Sequence, residues 1–407
     1  MSQPFTTTRL GDLPVLSFFT GGGFLDMGFE KAGYSIEWTN EMNLGFIKFY
    51  EHGMTEWRRH RGIVQPEAKI KAPIRLADLG GAAAVLKHAF PNGTPKLFGM
   101  IGGPPCQDFS IAGLRAGFDG TRGSVTHDYC RHIIEMRPAF FVMENVTGLL
   151  QKNHRASFEK LRESLGHDYL TDYAKLNSLD YAVPQSRERL FLIGLRRDLV
   201  TKALTDDQKK TVPTESWAGW SAEQDPLHRG ARKRCKWPTV ELPGVPLNVP
   251  TCKTILALSV NDCLVAPDDE VTTANATDRF NLRSEKAIST PEGMVGNRCF
   301  KRLHRYRFSP TACYGNNEVH LHPWLPQRLS VREVLRIQGV DESYVLPPGQ
   351  PLGTKFKMIG NGVPVPMAFG VAKTVARLVA EYCSFEISVM EPVELREHQS
   401  AHAVCGV

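Results

Sequence analysis

Apolar residues in the first 200 positions fall into short blocks, each closed by glycine, proline or a polar residue. LPVLSFF (13–19) predicts a buried strand, and TGGG (20–23) breaks it. Leu25, Gly28, Phe29 and Ala32 then recur at helical spacing until Gly33, which predicts a helix. YSIEWTNE (34–41) reads as a second strand with Glu41 at its end. KLFGMI (96–101), AFFVM (139–143) and RLFLIGL (189–195) are compact apolar runs of the kind found in buried parallel strands. The alternation predicts an α/β domain, in which ligands bind beyond the carboxyl ends of the strands. Cys106 and Glu144 follow two of those ends.

Between about 198 and 300 the pattern weakens, with short strand-like pieces and frequent prolines, as in a less regular inserted domain. Regular signals return in RLSVREVLRIQG (328–339). Ser330 and Glu333 make a capping box, Val331, Val334 and Leu335 a stripe, and Gly339 a stop. A last helix is predicted after Pro366, with Met367, Val371, Val375 and Leu378 on one face. The tail beyond about 384 has no strong pattern.

Composition narrows the class. Of 407 residues, 42% are hydrophobic and 23% charged, ordinary for a chain with a real core. No uninterrupted apolar stretch reaches bilayer length and the first residues lack a signal-peptide core, so a cytoplasmic protein without a membrane is expected. The nine cysteines include no Cys-x-x-Cys pair, which argues for reduced thiols and against a disulfide framework or a zinc ribbon. His320 and His322 lack neighbouring ligands and read as a surface loop pair, so no metal is expected. The net charge of +6 is concentrated. RGARKRCK (229–236) and NRCFKRLHRYR (297–307) each hold five Lys or Arg and no acid. Phosphate binding is one reading, with Phe300 and Tyr306 as stacking surfaces; a solvated face or a linker is the other.

The glycine turn followed about 20 residues later by Glu41 has the layout of a nucleoside-binding crossover, although three glycines also make a plain tight turn. In IGGPPCQDFS (101–110) a thiol follows two prolines. A packing cysteine does not require such a loop, whereas a nucleophile requires a fixed position.

FFTGGGFLDMGFEKAGY, GGPPCQDFS, ENVTGLL, VPQSRERLFLIG, RLSVREVLRIQG and IGNGVPVPMA occur in that order. Together they closely resemble the ordered motifs of the DNA (cytosine-5) methyltransferases, over 13–197 and again over 305–380. The resemblance implies a Rossmann-like S-adenosylmethionine-dependent methyltransferase domain in two parts, 13–197 and 305–383. A smaller, irregular target-recognition domain would span 198–304, leaving 384–407 as a tail. Carbon 5 of cytosine is a poor nucleophile. Thiolate attack on carbon 6 makes the ring an enamine, and the resemblance gives that attack to Cys106. Glu144, whose protonated form burial favours, would contact N3 and the amino group, with Arg187 and Arg189 beside the base. A structural salt bridge is the alternative for one arginine.

By the same resemblance, Phe19, Gly21, Gly23, Glu41, Met42, Asp78, Leu79, Pro105, Asn361 and Val363 border the cofactor. Glu41 would take the ribose hydroxyls and Asp78 the adenine amino group. Gln107, Ser110 and Arg122 would lie near a flipped nucleotide in duplex DNA, and Arg232, Lys233 and Arg234 on phosphates. The sequence departs from the family pattern at Ser17, usually acidic, and at Phe24 and Ala182, usually glycine. Met42 stands where an aromatic is common and Asp108 where a small residue is usual. The compact size implies a monomeric bacterial or phage modification enzyme, compatible with a partner restriction endonuclease. A transfer RNA methyltransferase and a DNA-binding regulator without catalysis are the alternatives.

Overall fold

A computed structural model describes residues 13–105, 125–241, 247–282, 284–296, 299–312 and 320–383, with two-residue strands at 8–9 and 387–388. Its centre is one sheet of six strands: β1 (Pro14–Phe18), β2 (Ser35–Asn40), β3 (Gly99–Gly102), β4 (Phe140–Asn145), β5 (Tyr169–Asn177) and β6 (Glu188–Arg196). Their order is β2-β1-β3-β4-β6-β5. β1 pairs in parallel with β2 and β3, and β3 with β4.

β6 runs antiparallel to both β4 and β5, which corrects the parallel strand expected from RLFLIGL. Leu190 to Ile193 and Leu195 are all but completely buried, so the run is continuously apolar whichever way the strand points. The connection 178–187 is too short for a crossover, and the chain therefore turns straight back.

Successive strand residues feed opposite cores, as a period of two requires. Val15, Ile101, Phe140 and Val142 pack with α1 (Phe24–Lys31) and the last helix. Leu16, Met100, Phe141 and Met143 face the other side. There they pack on α3 (Ala82–Ala89), α4 (Val125–Met136) and α5 (Lys152–Gly166). Between β2 and α3 lies α2 (Leu44–His60), which begins at Asn43. The Asn43 side chain accepts from Gly45 N at 3.0 Å and Phe46 N at 3.1 Å, a cap of about 1 kcal/mol.

Residues 198–304 contain three short helices, α6 (Ala231–Arg234), α7 (Lys253–Ala257) and α8 (Glu285–Ser289), among the described residues. Leu199, Val200, Trp217, Ala218 and Trp220 still pack on the sheet's first core, so the segment leaves that core only after them. Val260 and Cys263 join a third core with α2. The return segment brings α9 (Val331–Ile337), α10 (Leu352–Asn361) and α11 (Val365–Tyr382). The expected capping box is present. Glu333 N donates to Ser330 Oγ at 3.3 Å, and Ser330 N to Glu333 Oε2 at 2.7 Å. The last helix starts at Val365, one residue before the predicted proline. Taken together, 352–382 is long and apolar enough to cross a bilayer, yet most of it is buried in the core.

The histidine pair also departs from expectation. His320 and His322 are 2% and 1% exposed, because strand Lys301–Arg302 pairs with His320–Leu321 and draws both inside. Burial, reinforced by nearby Lys and Arg charges, pushes His320 down to about 3 and His322 down to about 4.

Candidate active site

The parallel strands end on one edge of the sheet, and the candidate site is built from the loops that leave it. After β1 the backbone turns through Phe19 (φ 55), Gly21 (φ 60) and Gly23 (φ 83). A non-glycine residue at such a φ is uncommon, and Phe19 holds it with its ring edge-on to Tyr129, centroids 5.9 Å apart. At Gly21 the space a side chain would occupy is open among the described residues, its nearest neighbour there being Phe19 O at 4.0 Å. Gly21 N donates to Glu41 Oε2 at 2.9 Å, and Asn43 N donates to Glu41 Oε1 at 2.7 Å. Glu41 thus bridges the end of β2 to the glycine turn, with a lone pair to spare on each oxygen.

Of the other residues expected at the cofactor, Met42 is 62% exposed, and Asp78 and Pro105 are also exposed. Leu79, half-buried, closes the 3-10 turn Leu76–Asp78. Asn361 is exposed at the end of α10, whereas the Val363 side chain is packed into the first core. An open backbone and a carboxylate suit the ribose of a nucleoside, and an exposed methionine suits the flat face of its base. These residues fit the cofactor that the sequence implies.

The second half of the site lies where β3, β4 and β6 adjoin. Glu144 on β4 stands opposite Phe191 on β6, so Arg189, two residues before Phe191, shares its face of the sheet. Arg189 Nε is 2.9 Å from Glu144 Oε1, both side chains being nearly buried. Burial raises the Glu144 carboxyl above its ordinary range, and the charges of Arg189 and then Arg187 work against that rise. Next to it, Asn145 Nδ2 donates to Pro104 O at 3.1 Å, pinning the proline turn to β4. At Gly103 a Cβ would stand 2.8 Å from Glu144 Oε2. Glycine there lets the carboxylate lie against the turn.

Arg187 serves a different part of the molecule. It is fully buried and donates from Nη1 to Ala312 O at 3.0 Å and from Nη2 to Gly360 O at 2.7 Å. Gln185 Nε2 donates to Gln338 Oε1 at 3.1 Å, and Gln338 Nε2 to Ile359 O at 2.7 Å. Tyr344 Oη donates to Gly22 O at 2.8 Å. Gln185, Gln338 and Tyr344 escaped the sequence reading. Only the period-two spacing of Gln185, Arg187 and Arg189 hinted at the first of them.

Cys106, Gln107, Ser110 and Arg122 lie outside the described residues. Arg232, Lys233 and Arg234 are exposed on α6. Arg232 Nη1 is 3.2 Å from Glu188 Oε1, which sets this turn close to the start of β6. The second basic stretch is different, and its phosphate reading is corrected for three residues. Arg302 is 4% exposed and donates to the carbonyls of Ala287, Thr290, His322 and Leu325. Arg305 pairs with Glu292, Oε2 lying 2.8 Å from Nη2, and Arg307 Nη1 donates to Pro238 O at 3.0 Å. In a segment with little regular structure these guanidinium groups satisfy loop carbonyls and a carboxylate.

Comparison with known proteins gives concordant findings. The family model described as C-5 cytosine-specific DNA methylase matches residues 13–377. The Type II methyltransferase M.NmeDI of Neisseria meningitidis serogroup C is 36% identical over 369 residues, 88% of this chain and 82% of that protein. M.MthTI of Methanothermobacter thermautotrophicus, also a Type II methyltransferase, is 29% identical over 90% of this chain and 98% of its own. Among solved structures, the S. pombe Dnmt2 methyltransferase superposes with a TM-score of 0.56 at 14% identity, covering 90% of this chain and 99% of its own. The Entamoeba histolytica methyltransferase EhMeth gives 0.53 at 11%, covering 91% and 99%. At those identities the structures speak for the fold alone.

Proposed function

The chain belongs to the C-5 cytosine-specific DNA methylases, and from that premise we propose how its residues divide the work. It is an S-adenosylmethionine-dependent methyltransferase acting on carbon 5 of cytosine in DNA, with relatives of the Type II restriction-modification kind. When bound, the cofactor supplies an electrophilic methyl group. Glu41 receives the ribose hydroxyls on the lone pairs left by Gly21 N and Asn43 N. Phe19, Met42, Asp78 and Leu79 border the adenine, and Pro105 and Asn361 the methionine end. Glu144, whose carboxyl burial raises above its ordinary range, contacts N3 and the amino group of the flipped cytosine, and Arg189 fixes its direction. Cys106, directly after the turn that Asn145 pins, attacks carbon 6.

Residues 198–304 act as the target-recognition domain, with Arg232, Lys233 and Arg234 on phosphates. The enzyme works as a monomer in the cytoplasm, protecting DNA from a companion endonuclease.

The observation that carries this reading is the buried Glu144–Arg189 pair, 2.9 Å apart and pressed against Gly103. It is tested by transfer of labelled methyl from S-adenosylmethionine to mixed-sequence duplex DNA, for wild type, Cys106→Ser and Glu144→Gln. Label with wild type and a rate lower by at least about 100-fold in both variants are expected. Equal label from Cys106→Ser removes the thiol from its role. Label in transfer RNA but not in duplex DNA overturns the substrate.

A further inference from the structure

A carboxylate stands between two cations at the edge where the site opens. Glu188 is the first residue of β6. Lys175 Nζ lies 3.5 Å from its Oε2, and Arg232 Nη1 lies 3.2 Å from its Oε1. The register explains the first contact. Asn177 on β5 stands opposite Glu188, and Lys175, two residues earlier, shares that face. The second contact is set by the turn that follows β5. Gly230 N donates to Asp180 Oδ1 at 2.8 Å and Asp225 N to Asp180 O at 2.9 Å, while Ala231 packs on Leu179. The short helix α6 is thereby seated on that turn, with Arg232 at Glu188.

This trio lies at the same edge as Glu144. Because β4 and β5 both run antiparallel to β6, their ends and the start of β6 coincide. Glu188 and Arg189 are consecutive. Arg189 meets Glu144 on one face, and Glu188 meets Lys175 and Arg232 on the other. The two cations keep 52% and 55% of their side-chain surface in solvent, so a ligand reaches both. Exposed ion pairs of this kind add little to folding. Their effect on an approaching polyanion is larger. Arg229, Arg232, Lys233, Arg234 and Lys236 form an exposed basic turn, and Glu188 neutralises its nearest member together with the one lysine that the edge strand adds.

We propose that Lys175 and Arg232 together bind one backbone phosphate of the duplex, and that Glu188 holds that phosphate's place in the free protein. The inference rests on the proposed function and extends its phosphate contacts from the inserted segment to the edge strand of the catalytic sheet. Binding exchanges one anion for another between the two cations. The Glu188 side chain turns out to solvent but stays near enough to repel the phosphate. Glu188 thus weakens the sequence-independent part of duplex binding, which phosphate contacts supply. Lys175 strengthens it from the sheet, beside the strand that carries Arg189.

The test measures the affinity of the full chain for mixed-sequence duplex between about 50 and 200 mM salt, where the slope of log K against log salt is about 0.9 per phosphate engaged. Lys175→Met is expected to reduce that slope by roughly 0.5 to 1. Adding Arg232→Met brings the total reduction to no more than about 1, because the two cations share one phosphate. A combined loss near 1.8, as for two separate phosphates, overturns the shared site. Glu188→Gln keeps the shape and removes the charge. It is expected to tighten binding several-fold at the low-salt end, with less gain as screening grows, and to gain much less when Lys175 and Arg232 are both Met. Unchanged or weaker binding by Glu188→Gln overturns the displacement. Lys202→Met removes another exposed, ion-paired lysine, past the far end of β6, and should leave the slope as it was. An equal change there makes the effect one of net charge and overturns the site. A normal slope in wild type that Lys175→Met leaves intact overturns the inference alone. Wild type that binds no duplex overturns the proposed function, and the inference with it.

Discussion

Replacing Gly103 with alanine tests the site where its geometry is tightest. The new Cβ would stand 2.8 Å from Glu144 Oε2, where ordinary contact begins at 3.4 Å, so the carboxylate must withdraw by about 0.6 Å. It cannot do so freely. Arg189 Nε holds the other oxygen at 2.9 Å, and such a retreat stretches the bond past the usual range for N–H···O contacts. Among the described residues, chain neighbours aside, nothing else comes within 3.8 Å of the added atom. The yielding group is the end of one side chain, so the cost to folding is about 1 kcal/mol, at the low end for overpacking. For the reaction the same shift is large, since a displacement near 1 Å in a reacting group costs on the order of 100-fold. Gly103→Ala therefore lowers the single-turnover rate by roughly 10- to 100-fold while Tm falls by no more than about 3 °C. The contacts of Gly21 and Glu41 to the cofactor are left in place, because those residues leave the sheet from different strands. Added to Glu144→Gln, Gly103→Ala costs much less than it does alone, because both act through one carboxylate. A wild-type rate from the single variant, or full additivity of the two, refutes the reasoning.

Three further substitutions separate structure from chemistry. Arg187→Met strips donors from two buried carbonyls, Ala312 O and Gly360 O, and is expected to cost on the order of 3 kcal/mol in denaturant unfolding. A loss under about 1 kcal/mol removes Arg187 from its structural role. Asp26 is fully buried, and burial raises its carboxyl from 3.8 to about 7 even though Ser17 Oγ donates to Oδ1 at 2.6 Å. The native state therefore keeps a proton that the unfolded chain loses. The associated stability is complete below about pH 4 and is lost as pH rises through about 7, up to roughly 4 kcal/mol in all. Asp26→Asn keeps the Ser17 bond and cannot ionise. Its Tm advantage over wild type should be near zero at about pH 4, grow as pH rises to about 7 and then level off, and a difference constant with pH refutes the assignment. Ala182 occupies the left-handed region at φ 60, which costs an alanine about 1 kcal/mol, so Ala182→Gly should stabilise by about that amount. A destabilised variant contradicts this.

What was legible in the sequence was whatever local pattern decides. The capping box at Ser330 and Glu333 is local, and its two hydrogen bonds are present. The apolar blocks of β1, β3 and β4 report burial, and those strands are buried. The direction of β6 was not legible, because an apolar run says that both faces are covered and nothing about which way the chain runs. The basic stretch 297–307 misled for a related reason. Counting charge does not reveal that Arg302 ends among four carbonyls or that Arg305 faces Glu292. His320 and His322 were misjudged because the two-residue strand that buries them carries no periodic signal.

The long-range contacts that assemble the site were beyond any local reading, and they explain why the catalytic fold is split in sequence. The glycine turn does not stand by itself. Tyr344, from the return segment, donates to Gly22 O at 2.8 Å, and the sulfur of Met358 on α10 lies where a side chain at Gly22 would be. The far end of α10 is fixed by Arg187, just before β6, on Gly360 O and by Gln338, just after α9, on Ile359 O. Its first turns are tied to the inserted segment, because Lys355, 1% exposed, places Nζ 2.6 Å from Asp278 Oδ2. One helix of 10 residues thus touches the glycine turn, is held by the arginine motif and meets the inserted segment. A displacement of the inserted segment at Asp278 loads the same rigid element that supports Gly22. The return segment is therefore the piece that holds the cofactor turn and the inserted segment in one frame, and a chain ending before α10 would have the glycine, proline–cysteine and arginine motifs without the frame.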